Sequence, residues 1–363
     1  MKRGLRMAIR VSLGAVGVAL LAAATVCLTS GCSTLGYYVQ SARGHLDLVR
    51  SARPVADWQA DAATPVALKE RLALSQRIRD FAVTELHEPD NASYRRYADL
   101  HRSAAVWNVV AAPELSLVLQ TWCFPVVGCV GYRGYYDRPR ADAFADGLRA
   151  QGLEVSVYGV PAYSTLGWLP FDWLADPLLN TFIDYPEGEL ARLIFHELAH
   201  QVAYAKGDTV FNESFATAVE RIGGRRWLSE HADAQARVQY ARYAARREDF
   251  RALTMQYRAE LDALYRGSLD DAAKRARKQA VLARLRADYA VLKAERWGGF
   301  SGYDGWFARA NNASFGVLGA YNELVPNFER LFEREGRDFD RFYAEVKRLA
   351  DLPDVEQRRA ALP

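Results

Sequence analysis

The chain has 363 residues, half of them hydrophobic and a quarter charged, with a formal net charge of +3. That is enough apolar material for a substantial core, which excludes a disordered chain and a disulfide-dependent miniprotein. The small excess of basic residues sits at the N-terminus, so no nucleic-acid partner is expected.

Lys2, Arg3, Arg6 and Arg10 precede a charge-free run over residues 11–28, a positive n-region leading into an apolar h-region. The run closes in Leu28-Thr29-Ser30-Gly31-Cys32 and resembles a bacterial lipoprotein signal, in which small residues precede a cysteine that receives lipid. The resemblance implies a signal peptide over residues 1–31 and Cys32 as the lipidated mature N-terminus. An uncleaved membrane-spanning helix is the alternative, and the run is near the lower length limit for one. Removal of residues 1–31 leaves 43 basic against 44 acidic residues, a formal charge of −1. Ser33 after the cysteine resembles outer-membrane sorting, so a periplasm-facing lipoprotein of the cell envelope, held in the outer membrane, is expected.

Residues 32–111 read mainly as helix, with apolar residues at helical spacing in 66–74 and 78–86 and a turn at Pro89-Asp90-Asn91. Between residues 107 and 160 the character changes to aromatic and β-branched runs, including 115–122, broken by Gly and Pro. This is the expected sheet region. Cys123 and Cys129 lie within it, either as a small-loop disulfide in an oxidising compartment or as two buried thiols. The tyrosine-rich run 131–136 either faces a groove or packs.

Pro186-Glu187 opens a helix that the spacing extends to about Lys206, with Gly207-Asp208 as its stop. A second helix is expected over residues 212–222, ending at Gly223-Gly224. Residues 227–266 and 270–296 form a charge-rich antiparallel helical hairpin divided by Gly267-Ser268, where Ser268 and Asp271 have capping-box spacing. Interleaved acids and bases make it a solvated face. Helix resumes over residues 315–349. The expected organisation is one integrated domain: an N-terminal helical region (32–111), a mixed α/β catalytic core (112–226), the hairpin (227–298) and a C-terminal helical region packed on the core (299–363).

Chemistry concentrates in His196-Glu197-Leu198-Ala199-His200. Residues four apart on a helix share a face, so His196 and His200 can direct neutral imidazoles at one zinc ion, while Glu197 can take a proton from the attacking water. Leu190, Leu193, Ile194, Leu198 and Val202 supply the apolar stripe of the same helix. After the turn at Gly207-Asp208, Glu213 can complete a two-histidine, one-glutamate set. Glu220, two turns further along, is either a rival ligand or an acceptor for an imidazole N–H. Tyr321 is the candidate oxyanion donor, and residues 163–168 are either an edge strand for an extended peptide or a connecting loop.

The HELAHQ run with the NESFAT segment resembles the gluzincin type of zinc peptidase. Together with Cys32 to Leu48, the VGYRGYYD segment and the stretch 164–179, it resembles a family of bacterial lipoproteins described as predicted aminopeptidases. The resemblance implies an α+β, helix-rich, gluzincin-like metallopeptidase core, with His196, His200 and Glu213 as zinc ligands, Glu197 as general base, and a peptide as substrate. The Gly-x-Met-Glu-Asn run of well-known zinc aminopeptidases is absent from the chain. Two rivals come from other classes: a non-catalytic zinc-binding envelope lipoprotein, and an assembly factor that uses the hairpin as a partner-binding arm.

Overall fold

Helices dominate, and among the described residues three small sheets complete an α+β fold. The computed structural model describes residues 32–124, 128–162, 171–320 and 323–363, with the side chains of residues 32–35 and 320 excepted. The chain divides into two units, residues 1–48 and 49–363. Helix α1 (Cys32–Ser51) begins in the first, and Cys32 opens it through its backbone. The expected signal at residues 1–31, the stretch 163–168 and Tyr321 lie outside the described residues. No described helix is long and apolar enough to cross a membrane.

In the second unit, β1 (Arg53–Pro54) and α2 (Val55–Ala60) precede α3 (Val66–Thr84), whose Leu72, Ile78 and Phe81 are buried at helical spacing. Two short strands, β1 and β2 (Arg96–Ala98), interrupt the region expected to be mainly helical, and β3 (Val106–Pro113) opens the expected sheet region. The expected strand over 115–122 is instead a turn followed by irregular chain, and β4 (Trp122–Phe124) begins only at its end. Antiparallel β4 and β5 (Gly128–Val130) set Cys123 directly opposite Cys129, and the two form a disulfide.

The main sheet runs β6 (Arg133–Tyr135), β3, β7 (Leu153–Val160), all antiparallel, with Asn108 opposite Tyr158. Tyr135 and Tyr136 are buried, so this part of the tyrosine-rich run packs. Helix α4 (Arg138–Arg149) was not expected, although its signals are local: Asp137 accepts from the Arg140 N–H at 3.0 Å, and Ala141, Ala145 and Leu148 are buried on one stripe.

Strand β8 (Leu178–Leu179) leads to α5 (Glu187–Val202), which stops four residues before the expected end, and then to α6 (Thr209–Glu230). Helix α6 passes straight through Gly223-Gly224, where a stop was expected. The glycines serve close packing instead: a Cβ on Gly224 would lie 2.7 Å from Arg192 Cγ, and one on Gly223 would lie 2.5 Å from Leu86 Cδ1. Gly223→Val is therefore expected to lower stability by about 1–3 kcal/mol through overpacking, read as a fall in the denaturant midpoint with unchanged slope.

The hairpin begins later than expected. Trp227 is buried within α6, and α7 (Ala234–Arg266) starts after Asp233, which caps the Ala236 N–H at 2.7 Å. Its partner α8 (Asp271–Glu295) is capped by Asp270 rather than by the Ser268–Asp271 pair. Tyr257, Leu261, Val281, Leu285 and Tyr289 bury the hairpin's inner side against Phe307 and Phe315, and Lys278 reaches the Glu114 carbonyl at 2.8 Å. The hairpin is thus fastened to the body over its length.

The helical pattern expected over 315–349 is divided among α10 (Asn312–Ala320), α11 (Val325–Arg334) and α12 (Phe339–Ala350), with α9 (Asp304–Arg309) before and α13 (Val355–Ala361) after. Gly336 and Arg337 both take positive φ, +74° and +59°, which ends the helical path between α11 and α12.

Candidate metal centre

Helix α5 carries the histidine pair and α6 returns beside it, held by a buried turn. The Asn212 side chain accepts from the Ala205 N–H at 2.7 Å and donates to the Ala205 carbonyl at 2.9 Å. Asp208 caps α6 at the Phe211 N–H and forms a buried ion pair with Arg358 at 2.9 Å. These contacts fix the phase of α6, so that Glu213, next after Asn212, faces the histidines.

Three donor atoms converge there. His196 Nε2 and His200 Nε2 are 3.2 Å apart, and Glu213 Oε2 lies 3.3 Å from the first and 3.7 Å from the second. For ligand atoms about 2.0–2.2 Å from a tetrahedral zinc, neighbouring ligands are separated by about 3.3–3.6 Å. Two imidazole nitrogens and a carboxylate oxygen at these spacings fit such an ion in both chemistry and geometry.

Glu220 stands on the other side of the imidazole, with Oε2 3.1 Å from His196 Nδ1, away from the converging atoms. Its second oxygen is bonded by Arg192, which lies 3.9 Å from Glu189, and Glu189 in turn is gripped by Arg247 at 2.6 and 3.2 Å. Burial alone would push the Glu213 and Glu220 carboxyls up. The charges and hydrogen bonds of His200 and His196 around Glu213, and of Arg192, His196 and Arg247 around Glu220, together outweigh it and hold both at about 2. Burial pulls His196 down, but its bonds to Glu213 and Glu220 win and raise it well above the usual imidazole range. Burial raises the Glu197 carboxyl, against the opposing charges of His196 and His200.

The sign for acid stability follows from Glu220. Its folded pKa is depressed below the ordinary 4.5, so the stabilisation it contributes is complete above that value and is lost as pH falls toward about 2. The thermal midpoint of metal-free protein is expected to fall between pH 5 and pH 2, with a shallower fall in Glu220→Gln.

His196 and Glu197 both face a cavity of about 770 Å³ between α5, α6 and α7, whose further walls include Thr217, Arg221, Tyr240 and Arg247. Two tyrosines not singled out in the sequence respond to the Glu213 charge. Burial first and then that charge raise Tyr158, which also bonds Asn108, to about 12, and raise Tyr204 as well. Tyr158 lies on β7, which among the described residues pairs with β3 alone, so alternation along an edge strand was the available signal.

The chain matches, over residues 36–362, the family described as "Putative aminopeptidase". It belongs to that family. The match begins in α1 and ends one residue beyond α13, so the aminopeptidase family covers the candidate metal centre, the main sheet and the hairpin together. No curated protein and no solved structure matches the chain.

Proposed function

We propose that this protein is a zinc-dependent peptidase of the aminopeptidase type, carried on a lipid anchor at Cys32 and facing the periplasm from the outer membrane. The observation that carries the catalytic part is the convergence of His196, His200 and Glu213, with His196 and its neighbour Glu197 lining a cavity large enough for a short peptide segment. Family membership supports peptide-bond hydrolysis. The lipoprotein-like N-terminus supports the anchor.

A zinc ion held by the three ligands would polarise the scissile carbonyl and acidify the attacking water. Glu197 takes the proton from that water and hands it to the leaving amine. Its buried carboxyl, raised by desolvation above its ordinary value, suits both halves of this exchange, because a stronger base takes the proton from water more readily. Glu220, with an oxygen 3.1 Å from His196 Nδ1, favours the proton on that nitrogen and so leaves Nε2 free to ligate, while Arg192 keeps Glu220 ionised.

A library of peptides with free and blocked N-termini, digested by the zinc-loaded mature protein, tests the reading. The expected result is release of N-terminal residues from the free peptides only. Internal cleavage of the blocked set would convert the assignment to an endopeptidase, and no cleavage of either set would remove the hydrolase.

A further inference from the structure

The cavity beside the metal centre changes character along its length. Glu213, Thr217, Arg221 and Arg225 follow at four-residue intervals on α6, so one stripe of that helix leads from a candidate metal ligand to two guanidiniums. The last three of these residues line the cavity. Eight residues of helix rise about 12 Å and twelve about 18 Å, which sets how far along the axis the two arginines stand from Glu213. Arg247 and Arg251, also four apart, line the facing wall on α7.

The ion pairs differ between the two ends. Near the histidines, Glu220 is bonded by the buried Arg192 and Glu189 by Arg247, so both carboxylates are neutralised within the wall. Further out, Arg251 bonds Glu248 at 3.0 Å with 40% of its side chain exposed, and Arg225 meets Glu329 of α11 at 3.3 Å with 61% exposed. Exposed pairs are screened by water and salt and contribute little, so these guanidiniums can turn to a ligand at small cost. Arg221 is half-buried. Burial, together with the like charges of Arg192 and Arg251, lowers its pKa against the pull of Glu329 and Glu220, and a bound anion relieves that repulsion. The cavity walls hold five arginines against four glutamates, a balance that favours an anionic ligand over a cationic one.

An extended peptide advances about 3.4 Å per residue. With its first carbonyl at the metal centre, a chain of about three to five residues carries its terminal carboxylate about 7–14 Å onward, to the level of Arg221. We propose that Arg221, Arg225 and Arg251 form a carboxylate subsite that selects short peptides by their free C-terminus. A guanidinium donates two parallel hydrogen bonds to a carboxylate and so fixes the far end of the chain, while His196 and Glu197 meet the near end. This substrate class rests on the proposed hydrolase reading.

Binding and turnover test it separately. Zinc-loaded Glu197→Gln protein is titrated calorimetrically with trialanine, trialanine amide and Ala-Ala-Asp amide, and wild-type kcat/KM is measured on the same peptides. Trialanine is expected to bind about tenfold or more tightly than its amide, with a similar preference in kcat/KM. The preference is expected to shrink in Arg225→Gln, an exposed position that leaves the fold alone, and to vanish in Arg221→Gln/Arg225→Gln with zinc content unchanged. A peptide of about eight residues, whose C-terminus lies beyond the arginines, is expected to show none. Equal binding of trialanine and its amide overturns the proposal. So does a preference that survives both arginine variants, as it would if the carboxylate bound the ion instead. Recovery of full affinity in Ala-Ala-Asp amide also overturns it, by assigning the subsite to an acidic side chain. Arginine-dependent binding without cleavage upholds the subsite and removes only the hydrolase, whereas Glu197-dependent cleavage indifferent to the C-terminus removes only the subsite.

Discussion

Glu197→Gln is expected to lower peptide cleavage by about 10²–10⁴-fold while zinc content and thermal midpoint remain at wild-type values. The amide has the carboxylate's shape but cannot take a proton. Glu197 is not among the three converging donor atoms, so the ion has no reason to leave. Burial already disfavours the charged carboxylate, so replacing it with a neutral group removes a desolvation penalty rather than a stabilising ion pair. Steady-state kcat/KM beside metal analysis and a melting curve separates these effects. Wild-type turnover in Glu197→Gln would take this residue out of the chemistry.

Glu220→Ala is expected to act on two quantities at once. Arg192 is 6% exposed and loses its bonded partner, leaving only Glu189 at 3.9 Å, and an uncompensated buried charge of this kind costs about 3–5 kcal/mol. His196 Nδ1 also loses the acceptor that sets its tautomer, which lowers metal affinity by about 10–100-fold. Glu220→Ala combined with Arg192→Met separates the two: it should recover much of the stability, because no charge is left buried, and none of the metal affinity. Chemical denaturation of the metal-free proteins and zinc titration with a competing chelator read them independently. Recovery of both in the double variant would show that Glu220 affects the ion only through folding.

The part of the site that was legible in the sequence is the part carried by local spacing. The i, i+4 histidines, the proline start of α5 and the short turn before Glu213 are relations within about twenty residues, and each survives in the structure. What holds that turn in place was not legible. Arg358 reaches Asp208 across 150 residues, and no periodicity in the sequence announces such a pairing. Arg192 likewise meets Glu220 28 residues on, through packing rather than through any local spacing.

The glycine pair at 223–224 shows a different limit. Glycine ends helices and also permits helices to touch, and sequence alone does not choose between the two. Leu86 and Arg192, on other elements, decide it here. Helix α4 was missed for the opposite reason, since its cap and apolar stripe were present but sat inside a β-rich neighbourhood that dominated the reading. The hairpin's charge pattern gave its two helices, while its attachment through Lys278 to Glu114 depended on a partner 164 residues away.

The central claim is that His196, His200 and Glu213 hold one catalytic zinc ion. The most direct measurement is the zinc content of the purified mature protein after exhaustive dialysis, taken beside Glu213→Gln. One zinc per chain in the wild type, removed by chelation and restored by added zinc, with a strong loss of retention in Glu213→Gln, is the result this account predicts. A folded wild-type chain that retains no metal, or a Glu213→Gln variant that keeps it as tightly, would contradict it.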